Sequence, residues 1–408
     1  MYIETLTLKN FKNFYQETVT FNQPGEGNGS NINLLLGNNG SGKTTVMQAA
    51  ALAILNEVLP QSGFVARNLI RKKTNNQFAD EAYLKAKVTL HPQDSMDQAT
   101  SCDLAVRIDA KRGILSAGPS PNALFDQQGP AFLVLGYGAT RWAPSAAGGH
   151  DNPVVRDRTR LPRYQRIASL FEDNFGLMPI EGWLYQLALA DPRTFGTVAD
   201  LIHALLPDEI RMSPLSSMVD AAKNGDRNAA PLLFKMDGIK LPLEAYSDGY
   251  RNYIAWVADM VYHLWRCCTE DMALTDLRGV VLVDEIDLHL HPKWQQRVLE
   301  RIGTVLKNLQ FICTSHSPLV VGSLYKTNLF VMDRDRKNRP KVKRLDVNPK
   351  GLDADQLLLT PYFGMETTRA PAYHDVVSEL YNKALKGDED AALEIMRIYT
   401  KGIDGQGV

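Results

Sequence analysis

The chain has 408 residues, which is long enough for two lobes or one large elaborated domain that buries an ample core. Its 45 lysine and arginine residues balance 46 aspartate and glutamate residues, so the overall charge gives no indication of nucleic-acid binding. The sequence has no run of about 18 apolar residues, so we expect no membrane-spanning helix, and its four cysteines form no C-x-x-C pair, which argues against a metal or disulfide framework.

The N-terminal third is rich in strand patterns. Residues 2–8 alternate apolar and polar side chains, and residues 83–90 and 103–108 form a second candidate β-pair. These segments predict an antiparallel β subdomain. Between them, an apolar strand over residues 33–36 leads through a glycine-rich turn into an Ala/Leu-rich helix that ends near Leu55.

Three continuous apolar stretches predict the strands of a central sheet, because strands that are buried on both faces lack polar alternation. They cover residues 131–141, 279–285 and 309–316. Arg141 lies at the end of the first stretch, where α/β proteins often place their sites. We interpret it either as a phosphate contact or as a turn residue.

The middle third has a different pattern. Pro/Ala/Gly-rich residues 144–149 indicate a lobe boundary, and helical periods follow at 164–171, 180–190 and 195–206. Residues 207–245 are turn-rich, with short strand candidates. We therefore predict an inserted, mostly helical lobe.

Helical patterns return in the last third of the chain. We predict a long helix after Ser247, another over Trp294–Leu306, and two amphipathic helices near residues 374–385 and 388–399. A β-hairpin is predicted around residues 336–340.

Residues 37–45 connect the strand and the helix near the start of the chain. They read Gly37, Asn38, Asn39, Gly40, Ser41, Gly42, Lys43, Thr44 and Thr45, and they fit the pattern G-x-x-x-x-G-K-[ST] in its strand–loop–helix context. Glycines allow backbone N–H groups to close around an anion, and the helix adds its positive dipole end. The Lys43 ammonium is expected to reach the β- and γ-phosphates, and the Thr44 hydroxyl to ligate Mg²⁺. The loop therefore predicts binding of a nucleoside triphosphate with Mg²⁺.

Three further features follow the loop in a fixed order. The segment Ser247, Asp248 and Gly249 opens a long helix, the pair Asp284 and Glu285 ends an apolar strand, and His316 ends the next one. A carboxylate at a strand tip beside the loop suits Mg²⁺, which assigns Asp284 to the metal. Glu285 is expected to polarise the attacking water, and the imidazole of His316 to contact the γ-phosphate.

With these motifs, the chain resembles the ABC-type ATPase heads of the RecF/SMC/OLD group. It looks most like stand-alone ATPases with the sequence Asp-Glu-Ile-Asp-Leu-His-Leu-His-Pro, here residues 284–292. The resemblance covers residues 1–55, 131–141 and 243–322. Within the group, the pattern is similar to ATPase subunits of bacterial antiphage systems, of the Septu type and its retron-associated relatives.

The resemblance implies a fold and a set of roles. The fold is an α/β ABC-ATPase head, a P-loop NTPase with a mixed central sheet, an N-terminal antiparallel β subdomain and an inserted, mostly helical lobe. The loop 37–45 would be Walker A, the pair 284–285 Walker B with its catalytic glutamate, and His316 the switch histidine. Residues 247–250 would be the signature motif and residues 287–292 the D-loop. The implied domains are lobe I over 1–143, the helical insertion over 144–245, the rest of the ATPase core over 246–346 and a C-terminal helical segment over 347–408.

The sequence departs from the group in several places. Asp248 stands where many ABC proteins have glycine, and His291 stands where the D-loop has aspartate. No glutamine can be assigned to the Q-loop. The chain has no heptad coiled coil, which excludes SMC proteins and similar long-armed members.

The resemblance also implies partners. In ABC heads, the signature serine of one subunit meets the γ-phosphate held by the other, so we expect a head-to-head homodimer or a higher oligomer. The main hypothesis is a cytoplasmic ATPase, without a signal peptide or membrane contact, that uses ATP and Mg²⁺ to regulate a separate effector, a nuclease, in phage defence. The alternative is a RecF-like DNA-repair ATPase that binds DNA directly. An arginine-rich run is interpreted either as a nucleic-acid contact or as a loop that is solvated or docks an acidic partner, and its candidate residues are Arg156, Arg158, Arg160 and Arg163.

Three other patterns have two interpretations each. Asp333 and Asp335 resemble the metal carboxylates of a Toprim nuclease, but we favour a charged hairpin tip. Asp287, His289 and His291 resemble a metal cluster, but their position in the D-loop explains them better. The two C-terminal helices are expected to pack on the head, or to present an apolar face to a partner.

Overall fold

The chain contains fourteen strands among the residues that the structure describes. They are β1 (Tyr2–Phe11), β2 (Phe14–Thr20), β3 (Ile32–Leu36), β4 (Glu81–Thr89), β5 (Ser101–Asp109), β6 (Gly113–Ser116), β7 (Leu133–Tyr137), β8 (Ile210–Met212), β9 (Leu233–Met236), β10 (Ile239–Pro242), β11 (Gly279–Val283), β12 (Leu309–Thr314), β13 (Leu329–Arg334) and β14 (Pro340–Lys343). The computed structural model describes residues 1–25, 31–56, 67–73, 77–91, 100–116, 133–141, 162–172, 175–213, 232–236, 238–268, 272–368 and 371–401.

Eleven α-helices occur in the same described ranges. They are α1 (Lys43–Leu55), α2 (Pro162–Gln165), α3 (Ile180–Ala190), α4 (Pro192–Leu205), α5 (Asp248–Cys267), α6 (Pro292–Gln295), α7 (Val298–Val305), α8 (Pro318–Gly322), α9 (Ala354–Leu358), α10 (Pro371–Ala384) and α11 (Glu389–Lys401). None of these helices is both long and apolar enough to cross a membrane.

A six-stranded mixed sheet organises the head. Its order is β14-β13-β3-β12-β11-β7, in which β13, β3, β12, β11 and β7 run parallel and β14 is antiparallel. Every residue of β3, β7, β11 and β12 is buried, as their continuous apolar sequences predict. The carboxyl ends of these four strands therefore lie at one edge of the sheet, which is where open α/β sheets bind ligands.

A second sheet forms the predicted antiparallel β subdomain. Its strand order is β2-β1-β4-β5-β6, and all neighbours are antiparallel. Helix α1 packs against strands of both sheets, and all of its residues except Thr44 are buried. This environment explains why α1 is apolar around its whole circumference, since a helix enclosed on every side has no solvent face.

The insertion combines helices with a small sheet. Helices α3 and α4 pack against each other and against α5, while β10, β9 and β8 form a three-stranded antiparallel sheet. Asp191 caps α4 by accepting hydrogen bonds from the backbone N–H groups of Arg193 and Thr194, both at 3.1 Å. These three strands lie within the turn-rich segment 207–245, where short strands were predicted and of which residues 214–231 and 237 lie outside the described residues.

Two helix predictions differ from the structure. The segment predicted as one helix over Trp294–Leu306 is divided into α6 and α7, and Arg297 between them has φ −117° and ψ −18°. The helical period at 164–171 corresponds to α2 and a separate 3₁₀ turn, Ala168–Leu170. Leu170 packs over Gly136 of β7, so tertiary packing rather than helical periodicity fixes this segment.

The chain divides into two compact units, Met1–Leu352 and Asp353–Val408. The second unit contains α9, α10 and α11, and α10 packs against α11. A capping box at Asp353 and Gln356 opens α9.

Candidate nucleotide-binding site

The loop between β3 and α1 has the backbone of an anion-binding turn. Gly37, Gly40 and Gly42 all have positive φ, at 142°, 73° and 111°. A Cβ atom on Gly42 would lie 2.8 Å from the ring of Phe14, and one on Gly37 would lie 2.8 Å from the Cβ of Met332. Glycine is therefore required at both positions for conformation and for space.

Lys43 folds back over its own loop. Its Nζ donates hydrogen bonds to the carbonyl oxygens of Gly37 and Asn38, at 2.7 and 3.3 Å. The residue is buried, and burial lowers the pKa of Lys43, although the nearby Asp284 carboxylate opposes this shift. An ammonium held this way is ready to exchange loop carbonyls for phosphate oxygens.

Two threonines bind the Walker B carboxylate, one from the Walker A loop and one from the end of β12. The Thr44 Oγ1 donates to Asp284 Oδ2 at 2.7 Å, and the Thr314 Oγ1 donates to Asp284 Oδ1 at 2.5 Å. The Thr314 Oγ1 also accepts the backbone N–H of Glu285 at 2.7 Å. Asp284 is only 6% exposed, so these hydroxyls satisfy a carboxylate that has little access to water.

The donor set fits a triphosphate with Mg²⁺. The Ser41 Oγ is buried within the loop without a hydrogen-bond partner, which leaves a polar atom available inside the cradle. A hydroxyl and a carboxylate at hydrogen-bond distance, Thr44 and Asp284, are the hard oxygen ligands that Mg²⁺ prefers. These residues would hold the ion, and the loop N–H groups with Lys43 would hold the phosphates.

His316 lies just after β12 and is exposed. Lys43 and the carboxylates of Asp284 and Glu285 all affect the proton affinity of His316, so His316 lies in the same candidate nucleotide-binding site. Partial burial lowers the pKa of His316, and Lys43 adds to this effect while the carboxylates oppose it. The imidazole is therefore predominantly neutral at physiological pH.

Arg141 contacts Walker B rather than the Walker A loop. Its Nη1 donates to the backbone oxygen of Asp284 at 2.5 Å, and its Nη2 donates to that of Glu285 at 2.8 Å. Burial lowers the pKa of Arg141 to about 10, so the guanidinium stays charged at neutral pH. Neither interpretation made from the sequence describes this contact.

The turn between β1 and β2 also contributes to the site. The Lys12 Nζ donates to Gln48 Oε1 of α1 at 2.6 Å, and the Asn13 Nδ2 donates to the backbone oxygen of Ser41 at 3.4 Å. Burial lowers the pKa of Lys12, and the opposing group is again Asp284. Sequence reasoning missed both residues. The available signal was a lysine–asparagine pair at the turn between two predicted strands.

The signature segment starts helix α5. Ser247 is its N-cap residue, yet its exposed hydroxyl makes no capping hydrogen bond. Asp248 pairs with Arg251 at 2.7 Å, and a Cβ on Gly249 would lie 2.3 Å from the backbone oxygen of His289. Within the described part of this chain, no hydrogen bond or ion pair joins residues 247–249 to the Walker A loop. Among the described residues, Walker A, Walker B and His316 thus share one site, and no bond joins the signature segment to the Walker A loop.

The alternative metal sites have structural explanations. His291 caps α6 through its Nδ1, which accepts the Lys293 N–H at 3.4 Å. Asp333 pairs with Lys343, and Asp335 accepts backbone N–H groups within the β13–β14 turn. Among the described residues, no group of three or more His, Cys, Asp or Glu side chains is arranged to hold a metal ion. Arg156, Arg158 and Arg160 lie outside the described residues, as does the side chain of Arg163.

Comparison with known proteins finds similarity to AAA-domain families and to SMC heads. A family model described as "AAA domain, putative AbiEii toxin, Type IV TA system" matches residues 161–322, and one described as "AAA domain" matches residues 5–111. Among solved structures, an SMC head bound to the C-terminal winged-helix domain of ScpA has a TM-score of 0.51 at 15% identity, and the match covers 85% of this chain and 98% of that one. The structural match shows that the chain has the fold of an SMC head, and the family models show AAA-domain sequence in residues 5–111 and 161–322.

Related protein sequences come from Septu and retron systems. The chain is 26% identical over 373 residues to the Septu protein PtuA of Bacillus mycoides (strain KBAB4), which is 90% of this chain and 45% of that protein. It is 33% identical over 164 residues to the Retron Ec83 probable ATPase of Escherichia coli, which is 39% of this chain and 26% of that protein. The chain therefore spans less than half the length of these curated relatives. In sequence it is similar to Septu and retron ATPases, as the resemblance of its motifs predicts.

Proposed function

We propose that this chain binds MgATP at residues 37–45 and hydrolyses it. The observation that carries the proposal is a continuous hydrogen-bonded chain that runs from Thr44 through Asp284 and Thr314 to the backbone of Glu285. It connects the loop that would hold the phosphates to the glutamate that would act on water. Long-range packing preserves this connection although the residues lie far apart in sequence.

Each side chain then has a defined part in hydrolysis. Lys43 transfers its hydrogen bonds from the carbonyls of Gly37 and Asn38 to the β- and γ-phosphates. Mg²⁺, when bound, neutralises charge that develops on the phosphates. Glu285 orients a water for attack on the γ-phosphorus and accepts its proton as the bond to the β-phosphate oxygen breaks. Neutral His316 contacts the γ-phosphate, whose charge raises the proton affinity of the imidazole.

Dimerisation through ATP is the second part of the proposal. Ser247 is exposed at the start of the 20-residue helix α5, and its hydroxyl is not used for capping. A helix N-terminus with a free hydroxyl suits the γ-phosphate held by another protomer. We infer that ATP joins two heads, and that hydrolysis weakens the contact by removing the group that both heads bind.

Similarity to Septu and retron ATPases supports a proposal for the biological role. Septu and retron ATPases are similar to this chain over part of their length, and the motifs agree with that similarity. We infer that the chain regulates a separate effector, a nuclease, in defence against phage. A pull-down of the protein with the product of a neighbouring nuclease gene, with and without ATP, tests this role directly.

The catalytic assignment is tested by Glu285→Gln, with Glu300→Gln as a matched control on the exposed face of α7. We expect Glu285→Gln to bind ATP normally and to lose about 100-fold or more in kcat, since it removes a general base. The control should retain wild-type turnover. Unchanged steady-state turnover in Glu285→Gln would refute the assignment.

The shared site is tested by mixing two inactive variants, Lys43→Ala and Ser247→Arg. If each site takes its lysine from one protomer and its serine from the other, mixed dimers contain one intact site. Equimolar mixing should then restore about one quarter of the wild-type activity, because half of the dimers are mixed. If mixing restores nothing while each variant still dimerises, residue 247 does not contribute across the interface.

A second candidate function is direct DNA binding, as in a RecF-like repair ATPase. The observation that favours it is the exposed Tyr15 ring, which lies between the guanidinium groups of Arg71 and Arg339 at 5.7 and 4.7 Å. Exposed aromatic rings flanked by arginine suit stacked bases and phosphates. Salt-sensitive DNA binding that is lost in Tyr15→Ala, or on neutralising the arginine run, would support this function. The residues of that run are Arg156, Arg158, Arg160 and Arg163. Failure of the wild-type protein to bind DNA would remove it.

A further inference from the structure

Arg141 makes a two-pronged contact with the backbone of Walker B. Its two terminal nitrogens donate to consecutive carbonyl oxygens, at 2.5 Å to Asp284 and 2.8 Å to Glu285. Its guanidinium also lies 5.8 Å from the centre of the ring of Trp256, a buried residue of helix α5. The planar fork of arginine suits two parallel acceptors, and a lysine ammonium cannot reproduce that geometry.

The backbone that Arg141 holds has an unusual conformation. Glu285 has φ of 48°, in the left-handed region that side chains other than glycine rarely occupy. Its N–H is bound by the Thr314 hydroxyl on one side, and its C=O is bound by Arg141 on the other. Within the described residues, no hydrogen bond holds the Glu285 carboxylate itself. The Glu285 C=O also accepts the N–H of Leu288 at 3.0 Å. The direction of the carboxylate is therefore set by the backbone, which these contacts hold, and Arg141 is the one charged side chain among them.

We propose that Arg141 is a positioning residue for hydrolysis, which holds the Asp284–Glu285 backbone so that the Glu285 carboxylate faces the attacking water. This inference rests on the proposed function, since it gives Arg141 no effect except through Glu285. Arg141 follows β7, the strand that pairs with the Walker B strand β11. Through Trp256 it also connects Walker B to the helix that starts at the signature serine.

The test compares Arg141→Lys with Arg301→Lys. Arg301 is a matched control because its guanidinium also donates to a backbone carbonyl, that of Ala204 at 2.7 Å, and its other hydrogen bond among the described residues goes to Asp208 rather than to the nucleotide site. For Arg141→Lys we expect kcat to fall at least about tenfold, while the Kd for a fluorescent ATP analogue stays within about twofold of wild type. Arg301→Lys should change neither quantity.

A double-mutant cycle tests whether Arg141 acts through Glu285. If it does, Arg141→Lys should cause no further loss of turnover when Glu285 is already glutamine. Independent, multiplicative losses in the double mutant would overturn the inference. So would a loss of ATP binding in Arg141→Lys, because that result would make Arg141 a nucleotide ligand.

The outcomes separate this inference from the proposed function. If Glu285→Gln retains turnover, the catalytic assignment fails. If Glu285→Gln loses turnover and Arg141→Lys does not, only the inference about Arg141 fails.

A cavity of about 340 Å³ lined by Arg141, Asn252 and Trp256 permits a second measurement, in which methylguanidinium is added to Arg141→Ala. Recovery of kcat with methylguanidinium but not with methylammonium supports the inference. Failure of the lysine and alanine variants to fold contradicts it, since a positioning residue is not required for folding.

Discussion

Thr314 is the residue whose removal tests the site most directly. It ends β12, is fully buried, and uses one hydroxyl to bind both residues of Walker B. The hydroxyl accepts the N–H of Glu285 and donates to the carboxylate of Asp284. Thr314→Val keeps the shape of the side chain and removes only these two hydrogen bonds.

The expected cost follows from the type of each hydrogen bond. A hydrogen bond to a charged group contributes roughly 1.5–3 kcal/mol, and a neutral one roughly 0.5–1.5 kcal/mol. Because Asp284 is buried and nothing replaces the hydroxyl, we expect Thr314→Val to lower the free energy of unfolding by about 2–4 kcal/mol. The valine fits the same space, so no cavity adds to this figure.

Thr314→Ser is the matched control, because it keeps the hydroxyl and loses one methyl group. Its expected cost is about 1 kcal/mol, from the lost apolar burial. Urea denaturation gives the free energies, and a phosphate-release assay gives kcat. We expect kcat to fall at least about tenfold in the valine variant and to change little in the serine variant.

The reasoning is refuted if valine is as stable as serine at this position. That result would mean that the hydroxyl does not satisfy the Asp284 carboxylate in solution. A valine variant with normal kcat would separately show that Glu285 keeps its orientation without the hydrogen bond to its backbone N–H.

Two further predictions concern the elements around the site. Gly249→Ala should destabilise the head by about 1–3 kcal/mol in urea denaturation, because the new Cβ would meet the backbone oxygen of His289. The control Gly196→Ala, which has open space around it in α4, should stabilise the head by about 0.5–1 kcal/mol. Equal effects of the two substitutions would contradict the packing argument. The half-buried His203 accepts the Met212 N–H at 3.0 Å, and burial lowers the pKa of His203 below 6.5. The contribution of neutral His203 to the free energy of unfolding is therefore complete above pH 6.5 and is lost as the pH falls through the folded-state pKa. Between about pH 7.5 and about pH 5, the free energy of unfolding should therefore decline less in His203→Gln than in the wild-type protein, because glutamine still accepts the hydrogen bond and does not titrate. An equal decline in both proteins would exclude His203 as the cause of the pH dependence.

The central sheet was predictable because its strands have a strong local pattern. The patterns over residues 279–285 and 309–316 predict strands, and the structure has fully buried parallel strands over Gly279–Val283 and Leu309–Thr314, each ending two residues before the predicted end. The Walker A loop was also predictable, since a glycine-rich turn between such a strand and a helix fixes its own backbone. Local pattern was less informative for Trp294–Leu306, where the structure has α6 and α7 in place of the one predicted helix.

The contacts that complete the site could not be predicted in this way. Arg141 and Glu285 are far apart in sequence, and they meet only because β7 lies next to β11 at the edge of the sheet. Thr314 has the same dependence, since β12 must pair with β11 before its hydroxyl can bind Asp284. Strand order is a property of the whole fold, so a motif search identifies the acting residues but not the residues that position them.

This division between local and long-range contacts affects how the ATPase would be controlled. Within one chain, Thr314, Thr44 and Arg141 already hold Asp284 and the Glu285 backbone, so little rearrangement of Walker B is needed when nucleotide binds. The signature segment has no bond to the Walker A loop within the described part of the same chain. Under the proposed function, the step that limits hydrolysis is therefore the arrival of a second head rather than the formation of the first. ATP turnover per head should then rise with protein concentration and reach a plateau when dimers are complete, and turnover that is independent of concentration far below the dimer dissociation constant would exclude this control.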